Sequence, residues 1–217
     1  MTDGVFSNQY WKQFLLLEKE FRKTTLYVAL SIENNKTYSD FYAKLLLQIG
    51  SEVDVAAKLL CKEINSGTSA ENIIKYRDEI MPVYPEIENV TIDCAGIAII
   101  PWKNWTTDSP TWWKIYNGVK HNRGGVETYD GETKENYKFA NLKTVSSALA
   151  GLYLLELYLY QRVTDREPQL DTPLPGSRLF KPKDHGWENK KAYRDTTFIL
   201  EGEMLKQVVG DYEYGDL

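Results

Sequence analysis

The sequence predicts a mainly α protein, a helical bundle that carries a small β-hairpin and ends in an irregular C-terminal arm. Three observations lead there. Apolar residues recur at three- and four-residue spacing through most of the first 164 positions, the signature of amphipathic helices. One short stretch, between Glu88 and Trp102, switches to β-branched residues around an Ala95-Gly96 break. Beyond Arg166 the chain gathers Pro168, Pro173, Pro175, Gly176, Pro182 and Gly186, which precludes a long regular element. The expected division is a helical domain over residues 1–166, with the hairpin inserted at about 88–102, and an extension over 167–217 packed on it.

The elements follow in order. From Gln9 to about Leu30, Tyr10, Phe14, Leu17, Phe21 and Thr25 mark one face of a first helix, ended by the polar run Glu33 to Lys36. Ser39 is placed to cap a second helix, with Tyr42, Leu45, Leu46, Ile49, Val53, Ala56, Ala57 and Leu60 as its apolar stripe. Thr68 and Glu71 have capping-box spacing, which predicts a third helix through Ile80 that stops before Pro82. Ser109-Pro110 reads as the cap and first residue of a fourth helix, which runs to the stop at Gly124-Gly125. The polar segment VETYDGETKE then connects to a long helix from about Asn136 to Val163, one-sided at first and apolar almost all round from Ala148 onward. In the arm, residues 177–180 and 196–201 are candidates for short extended segments, and the acidic last seventeen residues are expected to fray.

Composition narrows the function classes. The chain has 217 residues, 26 Lys and Arg against 31 Asp and Glu, and a net charge of -5, so its surface as a whole is not built to grip a polyanion. Any such contact must be local. Cys61 and Cys94 are not spaced for zinc or thiol exchange, and the two histidines, His121 and His185, are not joined to acids at ligand spacing, so no metal or cofactor site is expected. No glycine-rich loop leads into a helix with a phosphate-gripping Lys. The start of the chain has no basic and apolar leader, and the most apolar run, Ala148 to Tyr160, is short and holds Glu156. A cytoplasmic protein without a membrane span is the expectation.

Chemistry concentrates on the fourth helix. Lys114, Lys120, His121 and Arg123 lie within ten residues that contain no acid. Asn117 and His121, four apart, share a face, with Trp113 one turn earlier. The imidazole is the side chain that titrates nearest neutrality, while Lys120 and Arg123 suit a phosphate and Arg123 also complements the helix dipole. Trp112 and Trp113 are expected to offer an aromatic contact surface. Asp54 and Lys58 are four apart and can pair; Glu156, inside the most buried-looking segment, must be hydrogen-bonded, paired or neutral. Pairing with Lys58, Lys120 or His121 would tie three helices around one polar site. The alternative is a solvent-facing strip.

The segment Tyr116-Asn117-Gly118-Val119-Lys120-His121 resembles the motif of the HEPN superfamily, small all-helical proteins of prokaryotic toxin and antiviral systems. Their ribonuclease members carry an Arg, often followed by Asn, and then a His four to six residues after the Arg, and two protomers bring two motifs together. Asn117 and His121 occupy the matching positions, and the polar loop and long helix with Ala140, Asn141 and Leu149 are similar as well. Tyr116 stands where the Arg belongs, with Lys114 and Arg123 the nearest substitutes. A neutral phenol does not supply the charge that a guanidinium offers a scissile phosphate. The resemblance, over about residues 10 to 164, implies a homodimer and a noncatalytic RNA- or protein-binding component of a defence or toxin–antitoxin system. Its other implication is a metal-independent endoribonuclease with His121 as acid or base, Asn117 and Tyr116 beside it, and Lys120 with Arg123 stabilising charge.

Overall fold

A computed structural model describes residues 1–164, 173, 175–183, 196–201 and 204–209, and these form a mainly α protein. The first helical segment begins as a turn, α1 (Asp3–Val5), passes through a π-helical stretch over Phe6–Trp11 and continues as α2 (Lys12–Thr24). The apolar face expected of it is buried, through Phe14, Leu17 and Phe21, but the helix stops at Thr24, before the polar run. Next comes α3 (Asp40–Ile64), capped by the Ser39 hydroxyl, which accepts from the Tyr42 amide at 3.1 Å. Every residue of its predicted stripe is buried.

The third helix, α4 (Ile73–Ile80), differs from expectation at its start. Asn72 is the cap, its side-chain oxygen accepting from the Ile74 and Lys75 amides. Thr68 instead donates to Glu79 at 2.6 Å, so the capping-box pair never forms. The predicted hairpin is present as β1 (Ile92–Cys94) and β2 (Ile97–Ile99), turning through Ala95 and Gly96 at positive φ. α5 (Thr111–His121) starts two residues after Ser109, with no side chain capping it.

The polar connection after α5 is a second hairpin, β3 (Val126–Tyr129) and β4 (Glu132–Glu135). Asp130 and Gly131 take φ of 50° and 80°, the type I′ geometry that Asp-Gly supports because glycine has no Cβ to clash in the left-handed region. The long last helix is broken in two, α6 (Asn136–Phe139) and α7 (Leu142–Thr164). Asn141 makes the break: its side-chain oxygen accepts from the Thr144 amide at 3.0 Å, while the Leu142 and Lys143 amides donate to Thr37 and Asn35 in the loop before α3. The start of α7 is thus capped by its own asparagine and by a distant loop together.

The described parts of the arm include strands, as the candidate extended segments at 177–180 and 196–201 suggested. Phe180–Pro182 forms β5, which pairs antiparallel with β1 and completes a sheet of order β2-β1-β5. This gives the short ribbon the third strand it needs for stability. Upstream of β5, the Trp11 indole donates to the Pro175 carbonyl at 2.8 Å, and Phe180 packs between Phe14 and Tyr153. Glu18, 2% exposed, receives the Ser177 hydroxyl and the amides of Arg178 and Leu179. Near the C-terminus β6 (Thr196–Glu201) and β7 (Met204–Val209) form a third hairpin, so the segment expected to fray contains a strand.

α7 is the centre of the core. From Ala148 to Tyr160 every residue is buried, as its all-round apolar sequence requires, and α3 lies along it. Among the described residues one helix, Leu142–Val163, is long and apolar enough to cross a bilayer, and 89% of its most apolar stretch is buried inside the protein. α5 crosses α3 at Gly50, where a Cβ would stand 2.3 Å from the Tyr116 ring, so only glycine fits there.

Candidate functional site

The residues expected to carry chemistry lie along α5, and its buried face is fixed by packing. Ile115, Tyr116 and Val119 are buried as their spacing predicted. Trp112 and Trp113 are buried too, 4% and 7% exposed. The Trp112 indole donates to the Pro101 carbonyl at 2.6 Å and its ring meets Trp102 and Trp113 edge-on. Neither ring is on the surface, so the contact surface assigned to them does not exist on this chain; they belong to an indole cluster that also includes Trp105. Two adjacent tryptophans at the start of an amphipathic helix fit a core as well as an interface, and the neighbouring loop with Trp102 and Trp105 decided between them.

Tyr116, standing in the position of the family's arginine, is 4% exposed, with its ring against Gly50. Asn117 turns its amide back on its own helix, donating to the Trp113 carbonyl at 3.1 Å. Lys114 pairs with Asp108, whose carboxyl is held below its ordinary range first by that hydrogen bond. These three side chains are therefore occupied. The far end of the helix is different. Lys120, His121 and Arg123 are all exposed. Lys120 lies 5.5 Å from the centre of the Tyr116 ring, and among the described residues none of the three forms an ion pair. The helix C-terminus beneath them favours positive charge.

The polar junction expected around Glu156 does not form. Lys58 pairs with Asp54 at 2.6 Å, as its spacing predicted, and Asp54 also accepts from the Tyr76 hydroxyl at 2.7 Å. Glu156 is 3% exposed, so the solvent-facing alternative fails as well, and its Oε2 has no hydrogen-bond partner among the described residues. Burial, and after it the negative charge of Glu52, pushes this carboxyl up to about 8. Of the three outcomes that its position allowed, the neutral one holds near neutral pH.

Cys61 and Cys94 are buried free thiols, each pushed up to about 12 mainly by burial, which makes them inert packing groups. Among the described residues no group of three or more His, Cys, Asp or Glu is placed to hold a metal. His185 lies outside the described residues.

A second feature was invisible in the sequence. A cavity of about 740 Å³ opens at the start of α5, lined by Thr111 and Trp112 together with Lys103, Asn141 and Thr144. These come from separate segments that only the folded chain assembles. The cap at Asn141 was the one available clue, and reading α6 and α7 as a single helix hid it. Comparison of the chain with family models, characterised protein sequences and solved structures finds no match.

Proposed function

We propose that the chain is a noncatalytic RNA-binding helical bundle of HEPN-like character, a component of a defence or toxin–antitoxin system that works as a homodimer. The observation that carries this reading is the exposed group of Lys120, His121 and Arg123, free of ion pairs among the described residues in a chain of net charge -5. Isolated cations at a helix end are suited to phosphate oxygens, and their number sets a modest, salt-sensitive affinity. The absence of catalysis in this reading rests on Tyr116 and Asn117. A buried phenol and an amide spent on its own backbone leave His121 without companions for cleavage chemistry.

Fluorescence anisotropy with a labelled single-stranded RNA tests it. Binding at 50 mM salt is expected to weaken by about tenfold or more in K120A/R123A, and the salt slope to fall by about 1.4, two phosphate contacts' worth for a single strand. Wild-type affinity in the double variant, or no binding by the native protein, removes the RNA reading. Gel analysis of the same RNA distinguishes the enzyme: shortening that disappears in His121→Ala would replace binding by cleavage.

A further inference from the structure

The basic end of α5 leads, by way of backbone hydrogen bonds, to a row of partly exposed aromatic rings. The Asn136 amide donates to the Gly125 carbonyl at 2.8 Å, its side chain to the Asn122 carbonyl at 2.8 Å, and the Tyr137 amide to the Arg123 carbonyl at 3.1 Å, so α6 is fixed against the end of α5. From α6 the path continues to the loop before α3. Tyr38 forms a β-bridge with Asn141, and the Leu142 amide donates to the Thr37 carbonyl at 2.9 Å. Arg123, Tyr137 and Tyr38 therefore follow one another at positions set by the main chain, although they come from separate parts of the sequence.

The Tyr38 and Tyr137 rings meet edge to face, 5.9 Å apart at 76°. Tyr38 is 46% exposed, and Phe41, three residues on in the first turn of α3, is 38% exposed. Packed edge-on, the tyrosine pair covers only one ring face, and Tyr38 keeps surface for a further flat ring. Lys44 lies 5.9 Å from the centre of the Phe41 ring and Lys138 5.6 Å from that of Tyr137.

Charge is divided unevenly along this row. In the β3–β4 hairpin Glu132 meets Lys36 and Lys134, Glu135 pairs with Lys138 at 2.7 Å, and Glu127 stands opposite Lys134 in register. On α3, Asp40 and Lys44 are four residues apart and both exposed. The aromatic stretch is thus close to neutral, whereas Lys120 and Arg123 have no ion pair among the described residues. A polymer that alternates charged links with flat neutral groups matches this division, its phosphates at the end of α5 and its bases on the rings.

We infer that Tyr38, Tyr137 and Phe41 form a base-stacking platform for single-stranded RNA whose phosphates are held by Lys120 and Arg123. The inference rests on the RNA reading and adds to it what the strand must present, which is unpaired bases. In a duplex the bases stack on one another and do not reach the rings.

Fluorescence anisotropy of the full chain tests this with a short labelled single-stranded RNA, the same strand made with abasic sites, and its duplex. Tyr38→Leu, which keeps apolar bulk and removes the ring, should weaken the single strand about fivefold or more and leave the salt slope unchanged. Phe41→Leu, a second exposed change, should act in the same direction, and Tyr38→Phe should bind as the native chain does. The abasic strand and the duplex should bind Tyr38→Leu and the native protein equally. Native affinity for the single strand in both leucine variants, or an equal loss on the abasic strand, would overturn the platform. If K120A/R123A weakens binding while the leucine variants do not, the platform falls and the RNA reading stands; if the native chain binds no RNA, both fall. Conversion of a dimer to a monomer by Tyr38→Leu on size exclusion, with RNA affinity unchanged, would assign the rings to a subunit contact instead.

Discussion

Glu18 and Glu156 are both buried glutamates, 2% and 3% exposed, and their surroundings could hardly differ more. Glu18, on α2, is met by a turn of the C-terminal arm: the Leu179 amide donates to Oε1 at 2.9 Å, the Arg178 amide to Oε1 and Oε2 at 3.0 and 3.2 Å, and the Ser177 hydroxyl closes the ring. Ser177 in turn accepts from the Phe180 amide at 2.8 Å. Glu156, on α7, is desolvated by burial and meets the charge of Glu52, and its Oε2 is unbonded among the described residues. One carboxyl is a clasp between distant parts of the chain, and the other is a polar group tolerated by taking up a proton. Burial alone says nothing of a charged residue's duty; the donors brought to it decide.

That contrast can be broken at either end. The largest effect is expected from Glu18→Ala, which strands the Arg178 and Leu179 amides and frees the arm. A loss of about 3 kcal/mol in urea denaturation is expected, together with rapid amide exchange in β5. A change under 0.5 kcal/mol would show that the clasp is ornamental.

Next comes Glu156→Gln. Because the folded state holds this carboxyl at about 8 against an ordinary 4.5, the folded protein binds the extra proton between those values. Stability is then highest below about pH 4.5 as far as this group is concerned, falls as pH rises toward 8, and levels off above it. The fall is on the order of 1 kcal/mol per pH unit at most. The glutamine variant should nearly match the native protein at pH 5 and exceed it by about 3 kcal/mol at pH 8.5. Parallel stability curves across this range would mean that the native carboxyl finds a partner when charged. Ser177→Ala should have the smallest effect, about 1 kcal/mol, since the arm amides still reach Glu18 directly; a loss equal to that of Glu18→Ala would make the hydroxyl the true centre of the clasp.

The same contrast marks what the sequence could say. Helical periodicity was legible wherever a stripe faced one partner, so α3 and its Ser39 cap follow directly, and so does the Asp54–Lys58 pair. Glu156 was recognisable as a problem from its apolar flanks, though its answer depends on α3 placing Glu52 and no cation beside it. Glu18 gave no signal: it lies next to Leu17 in an otherwise ordinary helix, and its partners are about 160 positions away. The Asp130-Gly131 turn was readable, and the polar flanks of β3 and β4 concealed it because a strand exposed on most of its positions lacks the alternation that betrays one. Along α5 the pattern separated buried from exposed positions but not the two ends, whose difference lies in what other segments contribute. Among the described residues the basic end stands clear of ion-pair partners, and the first turn closes a cavity built from the loops before α3 and α5 and from α7.

The pairing of β5 with β1 bears on how the chain divides. β1 is the central strand of its sheet, with β2 on one side and β5 on the other. Ending the polypeptide near residue 166, where composition changes, would strip β1 of one neighbour and leave a bare edge carrying Ile92 and Cys94, the kind of surface on which unrelated chains stack and precipitate. The proline-rich tail thus acts as a built-in guard strand, and the change in composition at Arg166 is not a place where the molecule can be cut.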